Sequence, residues 1–292
     1  MNSFNTNDLK QLYKPGNGSH KGQNGKLMII GGSKLFHGAS LWALQVASRI
    51  VDMVFYSSVP ENNQIVQKLK EEFRNGIIVP RDKLHHYIEE ADCILIGPGL
   101  PRLEGMESGD DDTKKLTERL LKEYSHKKWV IDGGSLQVIE PGIIPQNAIL
   151  TPHHQELETL KFKVQSSRLA AKRAKFKVAI QNLKLEEQME LFSKEFHCIV
   201  LLKGQADIIC SPVECVQVKG GNPGMTKGGT GDVLAGLVAA LACKNNPFLA
   251  AKAGSYINKK AGDSLYEKVG PYFNASDLAD EIPKVMKELI IG

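Results

Sequence analysis

This 292-residue sequence carries neither a disulfide framework nor a zinc signature: its five cysteines, Cys93, Cys198, Cys210, Cys215 and Cys243, are odd in number and include no C-x-x-C pair. That usage points to free thiols in a reducing cytoplasm. Long apolar runs are also missing. The longest, Val233 to Cys243, falls well short of the roughly 20 residues that span a bilayer, and the stretch before Leu27 lacks the apolar core of a signal peptide. The expectation is a cytoplasmic protein with no membrane partner. There is no internal repeat and no period in the 27 Gly and 13 Pro, and with 42% hydrophobic and 24% charged residues the composition excludes fibrous and disordered classes. No Ser/Gly/Pro linker divides the chain, so a single domain over 1–292 is expected.

Acidic residues are absent between Glu158 and Glu186, a stretch that holds Lys161, Lys163, Arg168, Lys172, Arg173, Lys175, Lys177 and Lys184. These eight charges are twice the net +4, so the rest of the protein carries −4. Leu169, Phe176, Ala179, Ile180 and Leu183 fall on one helical face and Arg168, Lys172 and Lys175 on another. The segment at about 161–185 therefore reads as a basic helical insertion with a solvated face. Phe176 falls on the apolar face rather than among the charges of the other, so no nucleic-acid partner is expected. Asp110-Asp111-Asp112 before Thr113 reads as a helix cap in a solvated loop.

Short apolar runs ending in small or acidic residues dominate the rest. Lys26 to Ile30 ends in Gly31-Gly32-Ser33 and is followed by a helical pattern from Ala39 to Val51. Val54 to Tyr56, Cys93 to Ile96 (ending in Gly97-Pro98-Gly99), Trp129 to Ile131 (ending in Asp132-Gly133-Gly134), Ala148 to Leu150 and Cys198 to Leu202 are further candidate strands. Continuous apolar strands separated by helices predict an α/β fold with a mostly parallel central sheet covered on both faces. Ligands then bind at the carboxyl ends of the strands.

The strongest chemical signal is Asn222-Pro223-Gly224-Met225-Thr226-Lys227-Gly228-Gly229-Thr230-Gly231-Asp232, which runs directly into the apolar helix starting at Val233. Small residues ahead of a helix N-terminus let backbone amides converge on an anion. An aspartate there can take the proton of a hydroxyl that attacks phosphorus, while Gly228, Gly229, Thr230 and Gly231 supply an anion hole. The element is neither a P-loop nor a dinucleotide fingerprint, since Gly-Lys-Ser/Thr and a first-strand G-x-G-x-x-G are both missing.

This element resembles the C-terminal motif of the ribokinase-like superfamily. With Lys21-Gly22 to Gly25, Ile29-Ile30-Gly31-Gly32-Ser33, Gly38-Ala39, Ile96-Gly97-Pro98-Gly99-Leu100, Leu150-Thr151-Pro152-His153 and Leu202-Lys203-Gly204 in order, the chain resembles the ATP- or ADP-dependent NAD(P)H-hydrate dehydratases from Lys21 to about Asp263. The resemblance implies a three-layer ribokinase-like fold. It also implies dehydration of the S-epimer of hydrated NADH or NADPH, with ADP or ATP as cosubstrate and Mg2+. By the same resemblance Ala39, Gly99, His153 and Asp232 would contact substrate, with Asp232 as base, while Lys203, Gly204, Gln205, Ala206, Asp207 and Gly231 would hold the nucleotide. No protein metal ligand is expected. The family implies a homo-oligomer such as a tetramer, paired functionally with a separate NAD(P)H-hydrate epimerase.

The chain departs from the family pattern at Asp132-Gly133-Gly134-Ser135-Leu136-Gln137, where Asp-Ala-Asp-Ala-Leu-Asn is usual, and at His153-His154-Gln155-Glu156, where His-Pro-Gly-Glu is usual. Asp132 reads either as a substrate- or water-orienting acid or as a turn former. Two alternatives stand beside the dehydratase: a ribokinase-like kinase of a small alcohol or vitamin precursor, and a nucleotide-binding protein that has lost turnover.

Overall fold

The computed structural model describes residues 1–69, 75–102, 106–166 and 183–292. Ten strands form one sheet: β1 (Asn2–Ser3), β2 (Lys26–Ile30), β3 (Met53–Ser57), β4 (Ile77–Ile78), β5 (Cys93–Ile96), β6 (Lys128–Ile131), β7 (Ile149–Leu150), β8 (Ile199–Leu202), β9 (Asp207–Cys210) and β10 (Cys215–Val218). Their spatial order is β1-β10-β9-β8-β7-β6-β5-β2-β3-β4. Among the described residues every pairing from β8 through β4 is parallel, and only β9 runs antiparallel to its neighbours. The chain leaves β2 towards β3 on one side and returns to β5 on the other. This reversal opens a crevice at the carboxyl ends of β2 and β5, where α/β sheets bind ligands.

The central strands are buried on both faces, and alternate residues feed two separate cores. Leu27 and Ile29 of β2 join Leu95, Val130 and Leu201 on one face, while Met28 and Ile30 join Ile94, Ile96, Trp129 and Ile131 on the other. The first face is covered by α1 (His37–Ala47), α8 (Thr230–Lys244), α9 (Pro247–Val269) and α10 (Ala275–Met286). Helix α8 is apolar all round because it is enclosed all round: every residue from Val233 to Cys243 is buried, between the sheet and its helical neighbours. The second face is covered by α3 (Leu84–Glu90), α4 (Thr113–Glu123), α5 (Gly133–Val138), α6 (His154–Ser166) and α7 (Leu185–Phe196); α2 spans Pro60–Leu69.

The expected α/β architecture and its strands are present, each within a residue or two of the sequence reading. The helix expected over Ala39 to Val51 starts earlier and stops at Ala47, because the backbone turns at Arg49 and Ile50 with shorter-range hydrogen bonds to Val46 and Ala47. Asp112 caps α4 by accepting from the Lys115 amide. Its neighbours are tied down as well, Asp110 to the Lys34 amide and Asp111 to Arg81. Of the basic segment expected at about 161–185, residues 161–166 continue α6, and 167–182 lie outside the described residues. Among the described residues no helix is long and apolar enough to cross a membrane.

One expectation is corrected. The cysteine count suggested free thiols throughout, yet Cys210 and Cys215 face each other across the β9–β10 hairpin and form a disulfide. Cys93, Cys198 and Cys243 are free and buried. A four-residue spacer carries no disulfide signature by itself; the hairpin closed between Ser211 and Glu214 brings the two residues opposite each other.

At the carboxyl ends of β5 and β6 the chains touch backbone to backbone. Gly97 has φ +119°, and a Cβ there would lie 1.8 Å from the Asp132 carbonyl oxygen. Gly97→Ala therefore combines left-handed strain with a clash that neither strand can relieve. Its expected cost is at least ~3 kcal/mol of unfolding free energy, measurable by chemical denaturation; a loss below ~1 kcal/mol would show that the loops yield.

Candidate active site

A cavity of about 860 Å³ opens at the carboxyl end of the sheet, beside the N-terminus of α8. Lys203 and Gly204 enter it from the end of β8, Asp207 from the start of β9, and Gly220 to Pro223 from the loop after β10. Met225, Thr226, Thr230, Gly231 and Leu234 form the glycine-rich side, and Asn258 and Lys259 of α9 close it. Of the residues expected to hold a nucleotide, Lys203, Gly204, Gln205, Asp207 and Gly231 line this space, and Ala206 belongs to the same turn.

The loop ahead of α8 is shaped by Gly229. Its φ is +94°, and a Cβ would sit 2.5 Å from the Trp42 ring, so this helix start requires glycine. Thr230 Oγ1 donates to the carbonyls of Met225 and Lys227. The Thr230 and Val233 amides bond to Lys227 and Gly229, whereas the Gly231 amide has no acceptor among the described residues. Gly231 faces the cavity next to Lys203, whose Nζ would make an ordinary 3.5 Å contact with a Cβ there. Thus the four residues expected as an anion hole behave differently: Thr230 and Gly231 line the cavity, Gly228 is exposed, and Gly229 packs on Trp42.

Behind Gly231 lies a charged cluster. Asp132, 2% exposed, ends β6 and accepts through Oδ1 from Lys203 Nζ at 3.0 Å and Thr151 Oγ1 at 2.8 Å. Lys203 is thus an ion-paired residue rather than a solvated strand-end lysine. Burial alone would lower its pKa, but the negative charges of Asp132 and Glu156, the Asp132 hydrogen bond and Asp232 raise it. Asp232, in the first turn of α8, responds oppositely. Burial and then the Asp132 charge, with Glu156, push its carboxyl up to about 7, against the opposing pull of Lys203. At neutral pH it is therefore poised to take up or release a proton.

His153 and Glu156 make a reciprocal pair at the start of α6. The His153 amide donates to Glu156 Oε2 at 3.0 Å, and the Glu156 amide donates to His153 Nδ1 at 3.3 Å, a capping-box geometry. The His153 ring remains partly exposed and lines the cavity. Ala39 and Gly99 meet in the neighbouring crevice, where a Cβ on Gly99 would be 3.1 Å from that of Ala39 and 2.4 Å from the Phe36 carbonyl. Of the expected substrate residues, Ala39 and Gly99 thus sit in the β2/β5 crevice and His153 lines the cavity, while Asp232 lies in the first turn of α8, beside Gly231 but outside the cavity lining.

Sequence reasoning missed Asn258, Lys259 and the charge of Glu156. Lys259 is buried, pairs with Asp207 Oδ1 at 3.2 Å, and donates to the carbonyls of Gly204 and Gln205. Asp207 also accepts from the Gly204 amide and Ser255 Oγ. The turn that carries Lys203 is therefore held from α9, and nothing local in that 23-residue helix distinguishes Lys259 from a surface lysine.

Among the described residues no group of three or more His, Cys, Asp or Glu side chains forms a metal cage. The donor set fits a magnesium ion held mainly by substrate phosphates, which needs only one or two protein carboxylates. Asp132 qualifies, since its Oδ2 makes no hydrogen bond among the described residues while Oδ1 is engaged.

A family model described as NAD(P)H-hydrate dehydratase matches residues 27–284. A bifunctional NAD(P)H-hydrate repair enzyme of Methanocaldococcus jannaschii is 36% identical over 290 residues, covering 96% of this chain and 52% of that protein. An ADP-dependent (S)-NAD(P)H-hydrate dehydratase of Nitrosopumilus maritimus is 32% identical, covering 92% and 91%. The chain spans about half the length of its bifunctional relatives. Among solved structures, a ribokinase-like protein of Enterococcus faecalis superposes with TM-score 0.80 at 22% identity, over 100% of this chain and 97% of that one. The ADP/ATP-dependent NAD(P)H-hydrate dehydratase of Bacillus subtilis, crystallised with ATP and Mg2+, gives 0.75 at 21%, over 99% and 98%. These likenesses show the ribokinase-like fold.

Proposed function

This chain belongs to the NAD(P)H-hydrate dehydratase family, and from that membership we propose that it uses an adenine nucleotide to dehydrate the S-epimer of hydrated NADH or NADPH. The nucleotide occupies the cavity between Lys203 and Lys259, with its terminal phosphate towards Gly231. The hydrated nicotinamide lies in the crevice at Ala39 and Gly99, within reach of His153 and Asp232. The observation that carries this reading is the grouping at the start of α8: the Gly231 amide, with no acceptor among the described residues, Lys203 paired with buried Asp132, and Asp232, whose carboxyl burial pushes up to about 7.

The chemistry follows from poor leaving ability. The ring hydroxyl does not depart readily as hydroxide. Asp232 takes its proton as the oxygen attacks the terminal phosphorus and the bond to the leaving nucleotide breaks. The Gly231 amide and Lys203 stabilise the charge that gathers on the phosphoryl oxygens. The ring-nitrogen lone pair then expels phosphate, and loss of a proton from the adjacent carbon restores the reduced ring. The balance is one hydrate and one nucleotide converted to NAD(P)H, phosphate and the shorter nucleotide. Mg2+, carried on the nucleotide phosphates beside Asp132, would neutralise phosphate charge. Hydrate of the R configuration is left to an epimerase.

Phosphate accounting separates this reading from a kinase. One inorganic phosphate should appear per reduced nicotinamide recovered; accumulation of a stable phosphorylated product instead would favour the kinase. The pH profile gives a further prediction. Asp232 acts as base only when ionised, so kcat/KM should climb with pH and level off above about 7; a profile flat from pH 5 to 8 would remove Asp232 from that role.

A further inference from the structure

Asn258 lines the cavity from α9, is 5% exposed, and its Oδ1 has no hydrogen-bond partner among the described residues. It stands apart from the buried polar side chains around it. Lys259 is committed to Gly204, Gln205 and Asp207, and Thr230 Oγ1 donates to two carbonyls. Asn222 accepts from the Gly224 amide and donates to Asp263. A buried amide oxygen without a donor is unfavourable, and here it belongs to a side chain facing a space large enough for a ligand. The lining of the same cavity also includes Leu234 and Met225. Two apolar surfaces and one unsatisfied carboxamide are what a planar heterocycle with a polar edge requires.

We propose that Asn258 reads the base of the bound nucleotide. Its Oδ1 accepts from the exocyclic 6-amino group of adenine and its Nδ2 donates to the adjacent ring nitrogen, while Leu234 and Met225 pack against the ring. A carboxamide offers the donor and acceptor that this edge of adenine complements, and rotation about its terminal torsion brings both atoms to bear. The assignment rests on the nucleotide reading of the cavity. It adds a specificity residue on α9, remote in sequence from the phosphate-binding loop.

The test is titration calorimetry of the full chain with ADP and with purine riboside 5′-diphosphate, which differs only in lacking the 6-amino group. Wild type should bind ADP about 10- to 100-fold more tightly than the deamino nucleotide, the range of a good base-edge pairing. Asn258→Ala, and the volume-conserving Asn258→Leu, should weaken ADP, which loses both base-edge bonds, about 10-fold or more beyond the deamino nucleotide, which loses only the ring-nitrogen bond, so that the preference collapses. Equal binding of the two nucleotides by wild type overturns the proposal without any variant. So does a preference that persists in either folded variant. If wild type binds neither nucleotide, the nucleotide reading of the cavity itself fails, and this inference with it.

Discussion

Replacing Asp232 with Asn should lower kcat at least about 10²-fold while leaving nucleotide affinity within about 3-fold, and at pH 8 it should make the protein more stable. Both effects have one cause. The carboxyl is shifted upward from 3.8 to about 7, first by burial and then by the Asp132 charge. Between those pH values the folded state holds a proton that the unfolded state has lost, so stability falls as pH rises through the interval. Above pH 7 the ionised carboxylate is a standing cost, on the order of 2 kcal/mol after allowance for its partial exposure. An isosteric amide removes the charge. The stabilisation should be present at pH 8 and absent near pH 3, below both values, where both states are protonated. Thermal unfolding at the two pH values, with kcat measured on the same samples, checks the linkage; a variant that loses activity without gaining stability at pH 8 would show that the charge is not buried as described.

The second large effect is expected at Lys203. Asp132 is buried, with Lys203 Nζ 3.0 Å from its Oδ1. Lys203→Met would strip that carboxylate of its cation, at a cost of about 3–5 kcal/mol, and remove the phosphate contact proposed for it. Nucleotide binding should weaken by 10-fold or more. Adding Asp132→Asn should restore most of the stability, because the uncompensated charge is gone, without restoring nucleotide affinity. This cycle separates the structural work of the ion pair from its work on the ligand. In the single variant the pH limb assigned to Asp232 should also move upward, because Lys203 is what holds that carboxyl down. Denaturation of the four proteins and the pH profile of Lys203→Met measure both; an unmoved limb would show that the two groups are not coupled.

Much of this architecture is legible in the chain because parallel strands buried on both faces leave continuous apolar runs. Cys93 to Ile96 is an example: all four residues are buried and the run ends at Gly97. The sheet edge is different. β1 is only two residues long and gains its place by pairing with β10, far along the chain at Cys215–Val218, a long-range event without local periodicity. The site divides the same way. Gly229, Thr230, Gly231 and Asp232 are contiguous and announce themselves by composition. Lys203, Asp132 and Glu156 each end a strand or start a helix, so their individual placement can be read, but their mutual charge effects arise only when β6, β7 and β8 lie side by side. Asn258 and Lys259 are visible in neither way, since a buried polar pair in an otherwise ordinary helix acquires meaning only from the loop it faces. The disulfide between Cys210 and Cys215 likewise depends on hairpin register rather than on cysteine spacing.

The most direct test of nucleotide-driven dehydration is optical. The purified protein is incubated with the S-hydrate of NADH and Mg2+, with ADP, with ATP or with neither, and the reduced-nicotinamide absorbance band is followed. The account predicts recovery of the band with at least one nucleotide, none when nucleotide is omitted, and a rate at least about 100-fold lower for Asp232→Asn. Failure of either nucleotide to restore the band in the folded wild-type protein would contradict it.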